Sequence, residues 1–135
     1  MLYYDKKWCK ISYHADIPCI QLDWSGFVTG EKFREACNAA LSLLKEKKAS
    51  KMIANNSQAK LVSLEDQKWM NEEWFPQAYA AGYRTSAVVE SENIFNEVAV
   101  KNIVNKMENG KFTVQYFHNL ERAKEWLKEF KVELV

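Results

Sequence analysis

Hydrophobic and polar residues alternate one by one in two stretches near the start of the chain. In WCKISYH (residues 8–14), Cys9, Ile11 and Tyr13 take one side, with Lys10 and Ser12 on the other. In CIQLDW (19–24), Ile20, Leu22 and Trp24 share a face. Successive side chains of an extended chain point to opposite faces, so this period of two predicts half-buried strands. The short polar link HADIP between them predicts an antiparallel hairpin. The period then lengthens. Through VTGEKFREACNAALSLLKEKKA (28–49), Phe33, Cys37, Ala40, Leu41 and Leu44 recur at steps of three and four. One helical stripe therefore faces inward, while Glu31, Lys32, Arg34, Glu35 and Lys45 stay in water. Thr29 is the expected N-cap, because its hydroxyl oxygen can accept from a free amide of the first turn.

The short apolar run KMIAN (51–55) predicts a buried central strand. A second helical region follows over 64–81, ended by Gly82, which tolerates the left-handed conformation common past a helix end. Pro76 lies inside that region and predicts a kink or a break near 72–74. TSAVVE (85–90) predicts another buried strand. Val100, Ile103, Val104 and Met107 form a helical stripe closed by ENG (108–110). FTVQYF (112–117) is a strand, and NLERAKEWLKEF (119–130) a last helix with Leu120, Ala123, Trp126 and Leu127 turned inward. The order is β-β-α-β-α-β-α-β-α. Strands separated by helices join through right-handed crossovers. The expectation is a single α/β domain over 1–135: a mostly parallel five-stranded sheet with an N-terminal antiparallel hairpin, and four helices.

Composition narrows the function more than the fold. Lys and Arg number 19 against 18 Asp and Glu, for a net charge of +1, so no large field draws in nucleic acid or an acidic membrane. The opening residues carry no basic region followed by a long apolar stretch, and no run is long enough to span a bilayer. Cys9, Cys19 and Cys37 lack the close pairing of zinc or redox motifs. A cytoplasmic protein with reduced thiols, not integral to a membrane, is the expectation.

Candidate chemistry is sparse. Ser63 stands before LEDQ, with Asp66 three positions on, as in a loose capping box. It reads as an N-cap worth about 1 kcal/mol against Ala. Phosphate there would meet Glu65, Asp66, Glu72 and Glu73, all negative. Ser57, beside Asn55 and Asn56, reads as a turn residue. His14 sits near Asp16, but no spacing matches a metal-ligand motif, so no metal site and no cofactor are expected. His118 falls at the C-terminal edge of a parallel strand, where α/β folds bind ligands. Cys37 could pair with His14 or His118 as nucleophile and base, yet it lies on an apolar stripe, where a thiol is inert. Glu72 and Glu73 point to different sides of their helix and form no acid–base pair with Glu90. The four glycines make no phosphate loop, and no catalytic set is expected. Trp69, Trp74, Phe75 and Tyr79 put more rings around one helix than a single core face accepts. They point to a helix wedged between the sheet and a neighbouring element or against a second copy, or else to a groove for an apolar, lipid-like ligand.

Four phrases, in order, carry a family likeness: DWSGFVTGEKFREAC, WMNEEWFPQAYAAGYRTSAVVES, IFNEVAV and YFHNLERAKEWL. Together they resemble the SpoIIAA-like (STAS-type) domains, in particular small stand-alone bacterial members. The resemblance implies a non-enzymatic regulatory or ligand-binding module. In the sporulation anti-sigma-factor antagonists of that family, a kinase partner phosphorylates a Ser at the start of the helix after the central strand. A Ser pair follows an Asp there; here ANNSQAKLVSLED offers Ser57 alone, several residues before the helix, which argues against the switch. The function expected is a non-catalytic module that binds a protein partner or itself, as in a homodimer; the alternative is a module that binds a small apolar, lipid-like ligand. The candidate binding residues are Asn55, Ser57, Ser63, Trp69, Trp74, Phe75, Tyr79 and His118.

Overall fold

The computed structural model describes residues 2–106 and 111–130. Met107 and the ENG stretch expected to close a helix lie outside the described residues. The sheet has six strands in sequential order, β1 (Leu2–Asp5), β2 (Cys9–His14), β3 (Cys19–Phe27), β4 (Lys51–Leu61), β5 (Thr85–Val89) and β6 (Thr113–Phe117). The pairs β1–β2 and β2–β3 are antiparallel, and β3–β4, β4–β5 and β5–β6 are parallel. The α/β architecture with its N-terminal antiparallel hairpin is the one that the alternation of periods predicts.

Three elements differ from the sequence expectation. The sheet has six strands rather than five, because LYYD adds the edge strand β1. Four mostly exposed residues carry too little alternation to announce a strand; long-range contacts hold it instead. The Tyr4 hydroxyl donates to Glu35 Oε2 at 2.6 Å and accepts from Trp8 Nε1 at 3.1 Å. Strand β4 runs eleven residues, not five, because its second half continues the parallel ladder against Ser25, Gly26 and Phe27. The register shifts on either side of Gly26, whose φ of 77° favours a residue without a Cβ. Ser57 therefore sits in a strand, not in a turn. Finally, Thr29 is not the cap of α1 (Glu31–Lys47): Gly30 occupies that position with φ 64°, and no side chain of its own caps the helix.

All five apolar residues expected to face inward from α1 are buried. The second helical region is α2 (Leu64–Trp69), a π turn (Met70–Trp74) and α3 (Phe75–Ala80). Pro76 has no N–H to return to the carbonyl four residues back, and the chain widens rather than breaks: Phe75 N–H donates to Met70 O, five residues earlier. Helices α4 (Ile94–Asn105) and α5 (Leu120–Glu129) complete the fold. The larger core gathers Ile11, Ile20, Leu22, Met52, Trp74 and Tyr83 with the inner side of α1. A smaller core lies on the opposite sheet face, where Ala123 and Leu127 of α5 meet Ile53, Ala87 and Val89. Lys51 Nζ donates to the carbonyls of Leu127 and Phe130 and so ties the end of α5 to β4.

Candidate functional site

The eight candidate residues divide between the two faces of the sheet. On the face that carries α5, side chains form a polar row across three strands. His14 Nε2 meets Gln21 Oε1 at 2.7 Å, and Gln21 Nε2 donates to Asp23 Oδ1 at 2.8 Å. Asn55 Nδ2 donates to the same oxygen at 2.7 Å, and Ser57 Oγ donates to Asn55 Oδ1 at 2.8 Å. The hydrogen bonds make one connected chain, in which each partner fixes the next. Sequence spacing gave no sign of it, since parallel pairing of β3 with β4 is what sets Asn55 opposite Asp23. A groove beside the row is bordered by Lys6, Lys7 and Lys10. His118 is exposed just past β6 and joins none of these groups.

Ser63 caps α2, as its position before LEDQ predicts: Oγ accepts from Asp66 N–H at 3.1 Å. The same hydroxyl donates to Asp66 Oδ2 at 2.8 Å. Asp66 is 1% exposed, and its Oδ2 also accepts the Gly30 N–H at 3.0 Å, while Arg34 Nε lies 3.6 Å from Oδ1. One carboxylate thus supplies the missing cap of α1 and holds the starts of α1 and α2 together. A negative group at a helix N-terminus is also favoured by the helix dipole.

On the other face the aromatic helix closes over the sheet. Trp74 is buried and donates from Nε1 to Cys37 O at 2.7 Å. Its ring meets Phe75 at 5.3 Å and Tyr83 at 6.0 Å, both edge-on. Trp69 packs edge-on against Phe33 at 6.3 Å, and Tyr79 against Phe112 at 5.6 Å. The π turn resolves the excess of rings. Residues five apart come onto one side of a π turn, so Met70, Trp74 and Phe75 all face the same space. That space is a cavity of about 100 Å³, closed by Leu22, Met52 and Val88 of the sheet and by Val100 and Ile103 of α4.

Burial pushes the Cys37 thiol well above its usual range, with Cys9 and Asp66 adding to the effect. Burial likewise raises Cys9 to about 12. Neither supplies a thiolate at neutral pH, and His14 is held by Gln21 on the opposite sheet face, so no nucleophile–base pair is assembled. Among the described residues, no group of three or more His, Cys, Asp and Glu could hold a metal ion.

One feature was not legible in the sequence. Leu64, Phe95, Ile94 and Val98 are 80%, 70%, 66% and 51% exposed, and they border a shallow apolar depression between the starts of α2 and α4. The expected stripe of α4 accounts for Val100, Ile103 and Val104 only, which line the cavity.

A mostly parallel sheet with an N-terminal antiparallel hairpin and helices on both faces is the α/β architecture of a SpoIIAA-like (STAS-type) domain. The chain matches the SpoIIAA-like family model over residues 19–128, and it belongs to the SpoIIAA-like family. Members of that family are generally regulatory or binding modules without catalysis. No curated protein and no solved structure matches the chain. No helix among the described residues is long and apolar enough to cross a membrane.

Proposed function

We propose that the chain is a non-catalytic regulatory module that docks a protein partner, or a second copy of itself, through the apolar surface of Leu64, Ile94, Phe95 and Val98. The observation that carries this reading is their exposure, half or more of each side chain, around one depression. Contiguous apolar surface of this kind is rare on a monomer and is relieved when another surface covers it. The patch lies beside helices that follow the carboxyl ends of β4 and β5, the end of the sheet at which α/β folds bind ligands, and this supports the reading. Light scattering coupled to gentle size-exclusion, with mass spectrometry of whatever co-elutes, tests it. The wild type elutes as a homodimer or with a bound protein, and the Leu64→Glu/Phe95→Glu double variant elutes alone as a monomer. A wild type that is a free monomer with no companion overturns the reading.

A second reading has its own observation, the apolar cavity of about 100 Å³ under the aromatic helix. Native cores leave few voids of this size, and an empty one costs stability. The module then holds a small apolar molecule between the sheet and α1 to α4. Xenon binding, followed by shifts of the amide spectrum at Trp74 and Phe75 under xenon pressure, tests it. Absence of binding overturns it.

A further inference from the structure

Six of the eight large apolar side chains that stand out to solvent among the described residues gather on one surface. Leu61 borders the same depression as Leu64, Ile94, Phe95 and Val98, and Phe27 is its register partner across β3 and β4. Phe27 is 71% exposed and Leu61 37%. At roughly 150–200 Å² for a fully open side chain of these sizes, the six exposures come to about 700 Å², near the roughly 800 Å² that each partner of a standard interface buries. Single exposed hydrophobics are ordinary, whereas a continuous surface of this extent marks a contact.

Taking this surface as the docking surface, we infer that its occupant is a second copy of the chain, related by a two-fold axis, and that Phe27 belongs to the contact. A two-fold contact sets one patch against itself, so the patch must carry both projections and a hollow, and both signs of charge. The shape meets the first condition. The depression between α2 and α4 is open and holds about 540 Å³, more than one Phe or Leu side chain fills, and Leu64 and Phe95 stand at its border. The rim meets the second. Residues three or four apart on a helix are neighbours, so Lys68 shares a row with Leu64, and Lys101 with Val98. Glu65 and Glu97 adjoin the same two apolar residues, and Glu97 Oε1 lies 2.9 Å from Lys101 Nζ. Rotated onto itself, a rim of both signs lets acid meet base, where a rim of one sign would meet its like. An anionic bilayer surface, by contrast, calls for a basic rim.

The test is sedimentation equilibrium of the purified chain across a concentration series, with vesicle flotation alongside. The wild type follows a single monomer–dimer equilibrium. Phe27→Glu raises the dissociation constant about thirtyfold or more, as loss of an anchoring ring does, while Leu2→Glu on the edge strand β1 leaves it unchanged. Nuclear Overhauser contacts between labelled and unlabelled copies of the wild type appear at Phe27, Leu64 and Phe95. Contacts at Leu2 and Tyr3 instead overturn the inference. A wild type that stays monomeric and carries a different protein, released by Leu64→Glu/Phe95→Glu, overturns the inference and leaves the docking reading standing. A monomer with no companion, or one that floats with phosphatidylcholine vesicles, overturns both. Should Phe27→Glu fail to fold, the contacts between copies of the wild type decide the matter.

Discussion

Removal of the Asp66 carboxylate should separate two helix starts at once. In Asp66→Ala the Gly30 N–H, the Ser63 hydroxyl and Arg34 Nε all lose the group they face. Stranding one member of a buried ion pair costs about 3–5 kcal/mol. The Arg34 side chain is 43% exposed and can turn partly to water, which places its share at or below the low end of that range. The Gly30 amide has no second acceptor and adds about 1 kcal/mol or more. The expected loss is about 3–4 kcal/mol. Asp66→Asn keeps an oxygen towards Gly30 and Ser63 but turns an NH₂ towards Arg34, for a loss of about 1–2 kcal/mol. Ser63→Ala removes the cap of α2 together with the hydroxyl's bond to Asp66 Oδ2, for about 1–2 kcal/mol. Because Ser63 and Asp66 share a bond, the double alanine variant should lose less than the sum of the two. Urea unfolding at pH 7, followed by tryptophan fluorescence, gives each value by linear extrapolation. If Asp66→Ala costs no more than Ser63→Ala, the carboxylate does not join α1 to α2, and the account of how Gly30 is capped is wrong.

Two further outcomes follow from the large core and its thiols. Trp74→Phe loses the bond to Cys37 O and part of the ring that seals the cavity, so it should destabilise by about 2–4 kcal/mol; a loss under about 1 kcal/mol would refute that packing. The burial that raises Cys9 and Cys19 to about 12, from 9.0, has a consequence at alkaline pH. Unfolded thiols ionise above about pH 9 while the folded ones keep their protons, so stability is full below that pH and falls as pH rises towards 12. The urea midpoint should drop between pH 9 and 11, and the drop should be smaller in Cys19→Ala; an equal drop in the variant would refute the assignment.

Much of the fold was legible because each element carries its own period. Strands β2 and β3 alternate by twos, α1 repeats by threes and fours, and Pro76 marks the place where the helix between β4 and β5 departs from regular winding. Edges and extensions were not legible. Strand β1 owes its place to Tyr4 meeting Glu35, and the second half of β4 to a ladder with β3; both are contacts between distant residues. The site was legible only in part. The aromatic rings of Trp69, Trp74 and Phe75 could be read as an excess on one helix, and Ser63 as a cap from its neighbours. Nothing local distinguishes Asp66 from any first-turn acid, because burial and partners arise from helices that meet only in three dimensions.

The amino-acid order by itself determined which segments wind, which extend and how they alternate, since those properties follow from the spacing of apolar side chains along the backbone. Only the tertiary structure decided where unpaired chemistry collects. A hydrogen bond wants a partner within about 3 Å whatever its distance along the chain. Thus the carboxylate that caps α1 comes from α2, and the cavity under the aromatic helix is enclosed by side chains of β3, β4, β5, β6, α1, the π turn, α3 and α4. The apolar patch at Leu64 and Phe95 exists because α2 and α4 start side by side.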